Sequence, residues 1–168
     1  MNLKNRIKKV KVVSLLLLLC SSTLLAENHH FHGDWEIGVS AGYANLKTES
    51  EDGTNLHLHL MRSLGEKGIA KYLSLGVGME TIVTEEEHYG VMLTLDIHPI
   101  EDLTIGVSPG FEWAKHDGIS WEREYATHLE LTYSFDMANG YHIGPSIGYS
   151  VTKDSEHYTF GIHLGIGL

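Results

Sequence analysis

The sequence predicts an all-β protein, an eight-stranded antiparallel up-and-down transmembrane β-barrel. Three observations predict it. Apolar residues alternate with small or polar ones in eight successive runs, short turn-like links separate the runs, and an export leader precedes them. Side chains on a strand point to opposite faces with period two, so each run describes a strand with one apolar and one polar face.

Residues 1–26 read as a signal peptide. Lys4, Arg6, Lys8, Lys9 and Lys11 form its positive region, Val12–Leu19 its apolar region, and Ala26 the residue before cleavage. The apolar stretch is too short to span a bilayer as a helix, and no other segment offers about 18 consecutive apolar residues. Leu19 stands where lipoprotein processing needs a small residue, so Cys20 belongs to the leader. Cleavage after Ala26 leaves a chain without cysteine, and no disulfide holds it together. Five of the twelve Lys and Arg residues leave with the leader and none of the twenty-two acidic ones, which moves the formal charge from −10 to −15. A chain so acidic has no electrostatic attraction to nucleic acid.

Residues 27–33 form a His-rich tail. With Glu27 first, His29 is the third residue. The free amine, two deprotonated amides and the His29 imidazole then make a square-planar site suited to Cu(II) or Ni(II); the alternative is a plain disordered tail.

Residues 34–168 form the barrel, one domain of about 140 residues. The strand runs are Asp34–Leu46, Asn55–Leu64, Lys71–Thr84, His88–Ile97, Leu103–Lys115, Trp121–Phe135, Tyr141–Thr152 and His157–Leu168. Strands of about ten residues suit a tilted bilayer crossing. The turns at one end are Gly65–Gly68, His98–Asp102 and Asp136–Gly140. The alternate links, Thr48–Thr54, Glu85–Glu87, His116–Ser120 and Lys153–Glu156, are acidic. Pro109 and Pro145 fall inside strand runs, where each deletes a ladder hydrogen bond, and are read as bulge positions.

Alternation alone admits two architectures: a soluble cup with an apolar interior, or a membrane barrel with an apolar exterior. Three features select the second. The polar face is rich in glycine and serine, among them Gly76, Gly78, Gly106, Ser108, Gly144, Ser146 and Gly165, which leave room inside a narrow barrel. Large aromatics, including Trp35, Tyr43, Tyr89, Trp121, Tyr141 and Tyr158, sit on the apolar face near run ends, where interfacial girdles fall. The chain is also exported. Over the whole mature chain this pattern resembles the small eight-stranded outer-membrane barrels of Gram-negative bacteria, such as the outer membrane protein A, X and W types. The resemblance is one of pattern, without a residue-specific motif. It implies residence in the outer membrane, contact with its lipid and lipopolysaccharide, and insertion by the outer-membrane assembly machinery. One departure is Leu168, where family members usually end in phenylalanine or tryptophan.

With parity set, the inner face carries Glu36, His57, His59, Glu80, His88, Asp96, Glu112, Glu122, Glu124, His128, Glu130, His142, His157 and His163, and almost no Lys or Arg. Histidine is then the available cationic partner, and its charge is conditional near pH 6.5. Counting back from the turns places Glu130 opposite Ser146 and Ser146 near His163, so Glu130 and His163 are expected at similar depth. His57 and His59 are expected toward the acidic-loop end. Two explanations compete: a hydrogen-bonded Glu–His core filling a barrel too narrow for a channel, or a transition-metal site for Zn, Cu or Ni. Candidate ligands for the second are His57, His59, Glu80, Glu112, His128, Glu130, His142, His157 and His163, with His29 in the tail. No spacing is diagnostic of a metal motif, so no cofactor is assigned.

Catalysis is not expected. A lipid deacylase needs an activated serine beside a histidine on the lipid-facing wall. The nearest segment, His157-Tyr158-Thr159, has threonine there and turns His157 inward. The expected role is therefore a structural or interaction protein of the envelope without an open pore, with a metal-binding barrel as the alternative.

Overall fold

In a computed structural model the described residues are 34–47, 51–84, 87–116 and 120–168. The leader with its cleavage point, the tail with His29, and parts of the acidic links at 48–50, 85–86 and 117–119 lie outside the described residues. The strands are β1 (Trp35–Leu46), β2 (Glu51–Ser63), β3 (Leu73–Val83), β4 (Glu87–Ile100), β5 (Leu103–His116), β6 (Ser120–Tyr133), β7 (Phe135–Asp136), β8 (Tyr141–Val151) and β9 (Glu156–Gly167). Each pairs antiparallel with its neighbour, β9 returns to β1, and β8 pairs with both β6 and β7. The two-residue β7 continues the line of β6, so the wall has eight staves and closes on itself. Closure removes every free strand edge, which a lipid-exposed sheet requires.

Apart from the division of the sixth run and shifts of one residue, three boundaries differ from the sequence reading. Strand β2 starts at Glu51 because Leu46 already pairs with Glu51, which shortens the first link. Lys71 and Tyr72 belong to a 3-10 turn, Gly68–Tyr72, entered through Gly68 at φ 63°. Strand β4 runs on through His98 and Pro99 to Ile100, with a register shift between Ile97 and Ile100 that leaves Glu101-Asp102 as the turn.

The two strand prolines are not bulges. Pro109 pairs in unbroken register with Thr127 on β6, and Pro145 with Ile162 on β9. On the other side each interrupts the ladder without shifting it. Pairing of β5 with β4 skips from Met92–Gly110 to Leu95–Val107, and pairing with β8 skips from Thr132–Ser146 to Phe135–Ile143. Proline lacks the N–H that one neighbour would receive, so the gap falls on that side alone. The gap at Pro145 is what divides β6 from β7.

Which face looks inward is plain from burial. Among the described residues six hydrophobic side chains are buried against sixteen polar ones, the reverse of a soluble core. Along β2, Asn55, His57, His59 and Met61 are buried while Leu56, Leu58 and Leu60 are exposed. The exposed leucines, valines and isoleucines form the band that hydrocarbon covers, and burying them there is favourable for the same reason core burial is. Aromatic residues mark both ends of the band. Tyr43, Tyr89, Trp121 and Tyr125 stand toward the acidic links, and Trp35, Tyr72, Phe135 and Tyr141 toward the opposite end of the wall.

Candidate functional site

The interior polar residues form two clusters and a bridge between them. The first lies toward the acidic links. His128 on β6 sets Nε2 at 2.8 Å from Glu112 Oε1 on β5 and Nδ1 at 3.2 Å from Glu80 Oε2 on β3. Ser150 donates to the same Glu112 oxygen at 2.8 Å, and Asn55 donates to Glu80 Oε1. His157 on β9 places Nε2 at 3.7 Å from Glu80 Oε2, and that nitrogen is buried without a hydrogen-bond partner. Register explains the gathering: His157 faces Ser150, and Ser150 faces His128, so the three follow one row across β9, β8 and β6.

The second cluster lies toward the end of the wall marked by Trp35 and Leu168, on the strands that close the barrel. Glu36 on β1 receives three imidazoles at one oxygen. His59 Nε2 is 3.2 Å from Oε1, His142 Nε2 3.5 Å and His163 Nε2 3.8 Å. His142 and His163 bring their Nε2 atoms within 3.2 Å of each other, and Ser40 Oγ lies 3.1 Å from His163 Nδ1. The His163 ring stacks between its neighbours, with centroids 5.1 Å from His59 and 5.2 Å from His142. Glycines make this possible. One row across four strands reads His59, Gly38, Gly165, His142, and a Cβ on Gly38 or Gly165 would run into those rings.

Between the clusters, His57 Nδ1 lies 3.2 Å from Glu130 Oε2, and Thr132 donates to the other Glu130 oxygen at 3.0 Å. A cavity of about 30 Å³ lies among these groups, bounded by Glu36, His57, His59, Asp96, Glu130 and His163 among others. It has room for a water or two. Outside the wall, Lys47 pairs with Glu156 at 2.5 Å, and that hydrogen bond raises the Lys47 pKa.

His57, His59, Glu80, Glu112, His128, Glu130, His142, His157 and His163 therefore all face the interior, but they do not meet at one point. Glu130 pairs with Gly148 and not Ser146, and Gly144 is the residue opposite His163. The turn after β7 closes with Met137 N–H bonded to Tyr141 O, and the link after β8 with Thr152 N–H bonded to Ser155 O. Each centre sits one residue from the counted one, and a one-residue displacement of a hairpin centre moves the partner by two. Glu130 consequently pairs with His57 in the bridge, while His163 joins Glu36 in the second cluster. His57 and His59 lie mid-strand on β2 rather than toward the acidic links, and Glu122, inward by parity, is exposed at the start of β6. Glu36 is the residue missed as a ligand candidate. Parity placed it inside, but its partners come from the far end of the chain. His98, in a turn by the sequence pattern, lies on β4 and bridges Ser74 and Thr104, each at 3.1 Å.

No protein-family model matches the chain, and no curated protein sequence matches it. Solved structures do. Neisserial surface protein A is 10% identical with TM-score 0.59, covering 80% of this chain and 96% of that one. A de novo designed transmembrane β-barrel is 16% identical with TM-score 0.51, covering 84% and 100%. The outer membrane protein Ail of Yersinia pestis, in a nanodisc, is 14% identical with TM-score 0.49, covering 79% and 99%. Identities this low carry no residue roles, but the first two likenesses agree with the closed wall and its apolar exterior. The chain has the fold of the small eight-stranded outer-membrane β-barrels.

Proposed function

We propose that the chain is an integral barrel of the outer membrane of a Gram-negative bacterium, closed to conduction by its own Glu–His core, with a structural or interaction role in the envelope. The observation that carries this reading is the inside-out distribution of polarity around a cavity of about 30 Å³. An apolar belt needs lipid, and a tube filled by side chains passes no solute stream. Its surroundings are then outer-membrane lipid and lipopolysaccharide, reached through the assembly machinery after removal of residues 1–26. The serine–histidine contacts of the clusters, Ser40 with His163 and Ser150 with His128, lie inside the wall and away from lipid, so the reading does not include catalysis.

Fractionation of expressing cells and planar-bilayer recording test it together. The protein is expected in the outer-membrane fraction, with heat-modifiable migration and no discrete conductance steps. Recovery in the soluble periplasm, or steady single-channel openings, would contradict it. A metal-binding barrel is the second reading, favoured by the convergence on Glu36.

A further inference from the structure

Three side chains at the closure seam bring one potential ligand atom each within 3.8 Å of one another. Glu36 Oε1, His142 Nε2 and His163 Nε2 form a triangle with edges of 3.2, 3.5 and 3.8 Å. A tetrahedral zinc ion with bonds of about 2.0–2.2 Å spaces its ligand atoms about 3.3–3.5 Å apart. The in-plane point equidistant from the three atoms lies about 2.0 Å from each, and an ion raised out of that plane to admit a fourth ligand would sit about 2.2 Å from each, within the range of zinc bonds to nitrogen and oxygen. We infer that Glu36, His142 and His163 bind one divalent first-row transition-metal ion, with Ser40 and His59 positioning the ligands.

Four further observations carry the site. Ser40 holds His163 by Nδ1, which leaves Nε2 turned to the centre, and His59 holds the Glu36 oxygen; metal ligands are ordinarily oriented by such outer partners. Gly38 and Gly165 supply the floor on which the rings lie, and side chains there would exclude them. The cavity borders all three ligands, so a water has room to complete the coordination. The buried residues include no Lys or Arg among those described, so Glu36 has no permanent cation beside it. Two imidazoles with one carboxylate suit Zn(II), Co(II), Ni(II) or Cu(II) and disfavour the harder Ca(II) and Mg(II). The cluster around His128 is less open, because His128 spends both ring nitrogens on Glu80 and Glu112. This inference goes beyond a closed envelope barrel: an ion here ties β1, β8 and β9 together where the wall closes.

The experiment uses the full mature chain in detergent, without an affinity tag, with His29, His30 and His32 changed to alanine so that the tail cannot compete. After chelator treatment it is titrated with Co(II), reading ligand-field absorption, and the signal is displaced with Zn(II). One equivalent per barrel is expected, with weaker binding as pH falls because protons compete for the imidazoles. His163→Ala and Glu36→Gln should weaken binding at least a hundredfold, Ser40→Ala about tenfold, and His157→Ala, in the other cluster, not at all. Heat-modifiable migration reports folding separately. If His163→Ala does not fold, the bulkier His163→Gln replaces it. A folded parent with no stoichiometric Co(II) signal overturns the site and leaves the closed barrel standing. Binding that survives Glu36→Gln and the His163 variant but is lost in His157→Ala overturns it equally.

Discussion

Gly165 on β9 lies directly opposite Gly38 on β1, and the rings of His142 and His59 occupy the space that side chains at those two positions would take. A Cβ on Gly165 would also come within 3.0 Å of His163 Nε2. Gly165→Ala should therefore displace the His142 ring and destabilise the barrel by about 1–3 kcal/mol, as overpacking does. Urea unfolding in lipid vesicles measures it; an unchanged midpoint would show that the ring has slack the packing denies.

His128 connects two buried carboxylates on different strands. Removing it takes away the imidazole that joins both charges and leaves them with the neutral donors Ser150 and Asn55, so His128→Ala should cost about 3–5 kcal/mol. Adding Glu80→Gln and Glu112→Gln to that variant should recover much of the loss, since the uncompensated charge is what costs stability. Equal destabilisation in the single and triple variants would count against a charge-based account.

Leu58 occupies the middle of β2 on the outer wall and is 49% exposed. Lysine there places an ammonium in the hydrocarbon, and Leu58→Lys should cost about 2–4 kcal/mol in a bilayer. In a soluble fold the same exposed position would accept lysine without penalty. The vesicle unfolding midpoint decides between them.

Lys47 and Glu156 pair beyond the membrane band. Their hydrogen bond raises the Lys47 pKa above the ordinary lysine value. The same hydrogen bond lowers the Glu156 pKa, so whatever the pair contributes is present between the ordinary carboxylate and ordinary lysine values, and is lost as pH rises through the raised Lys47 value or falls through the lowered Glu156 one. Exposure and salt screen it. Lys47→Ala should leave the unfolding midpoint at neutral pH within experimental scatter, in contrast to His128→Ala.

Much of the fold was legible because face is a local property. Period two along β2 assigns His57 and His59 to one side and Leu56, Leu58 and Leu60 to the other, whatever the rest of the chain does. Turn residues then bounded the strands to within a few positions. The misplacements, of Glu130 against His163 and of His57 toward the acidic links, came from register, which hangs on single residues in the turns. Pro145 shows the same limit: its sequence position suggested a bulge, and only pairing on both sides revealed a one-sided gap.

Period two and the turn residues set the number of staves and the face of nearly every strand residue, Glu122 excepted, and hence a tube with lipid outside and carboxylates and imidazoles within. Tertiary structure alone decided which of those groups meet. Glu36 stands at the start of the barrel and His142 and His163 near its end; they share a centre because β9 returns to β1. Pairing between the first and last strands is set by closure of the whole wall, and no local pattern encodes the register at which it closes.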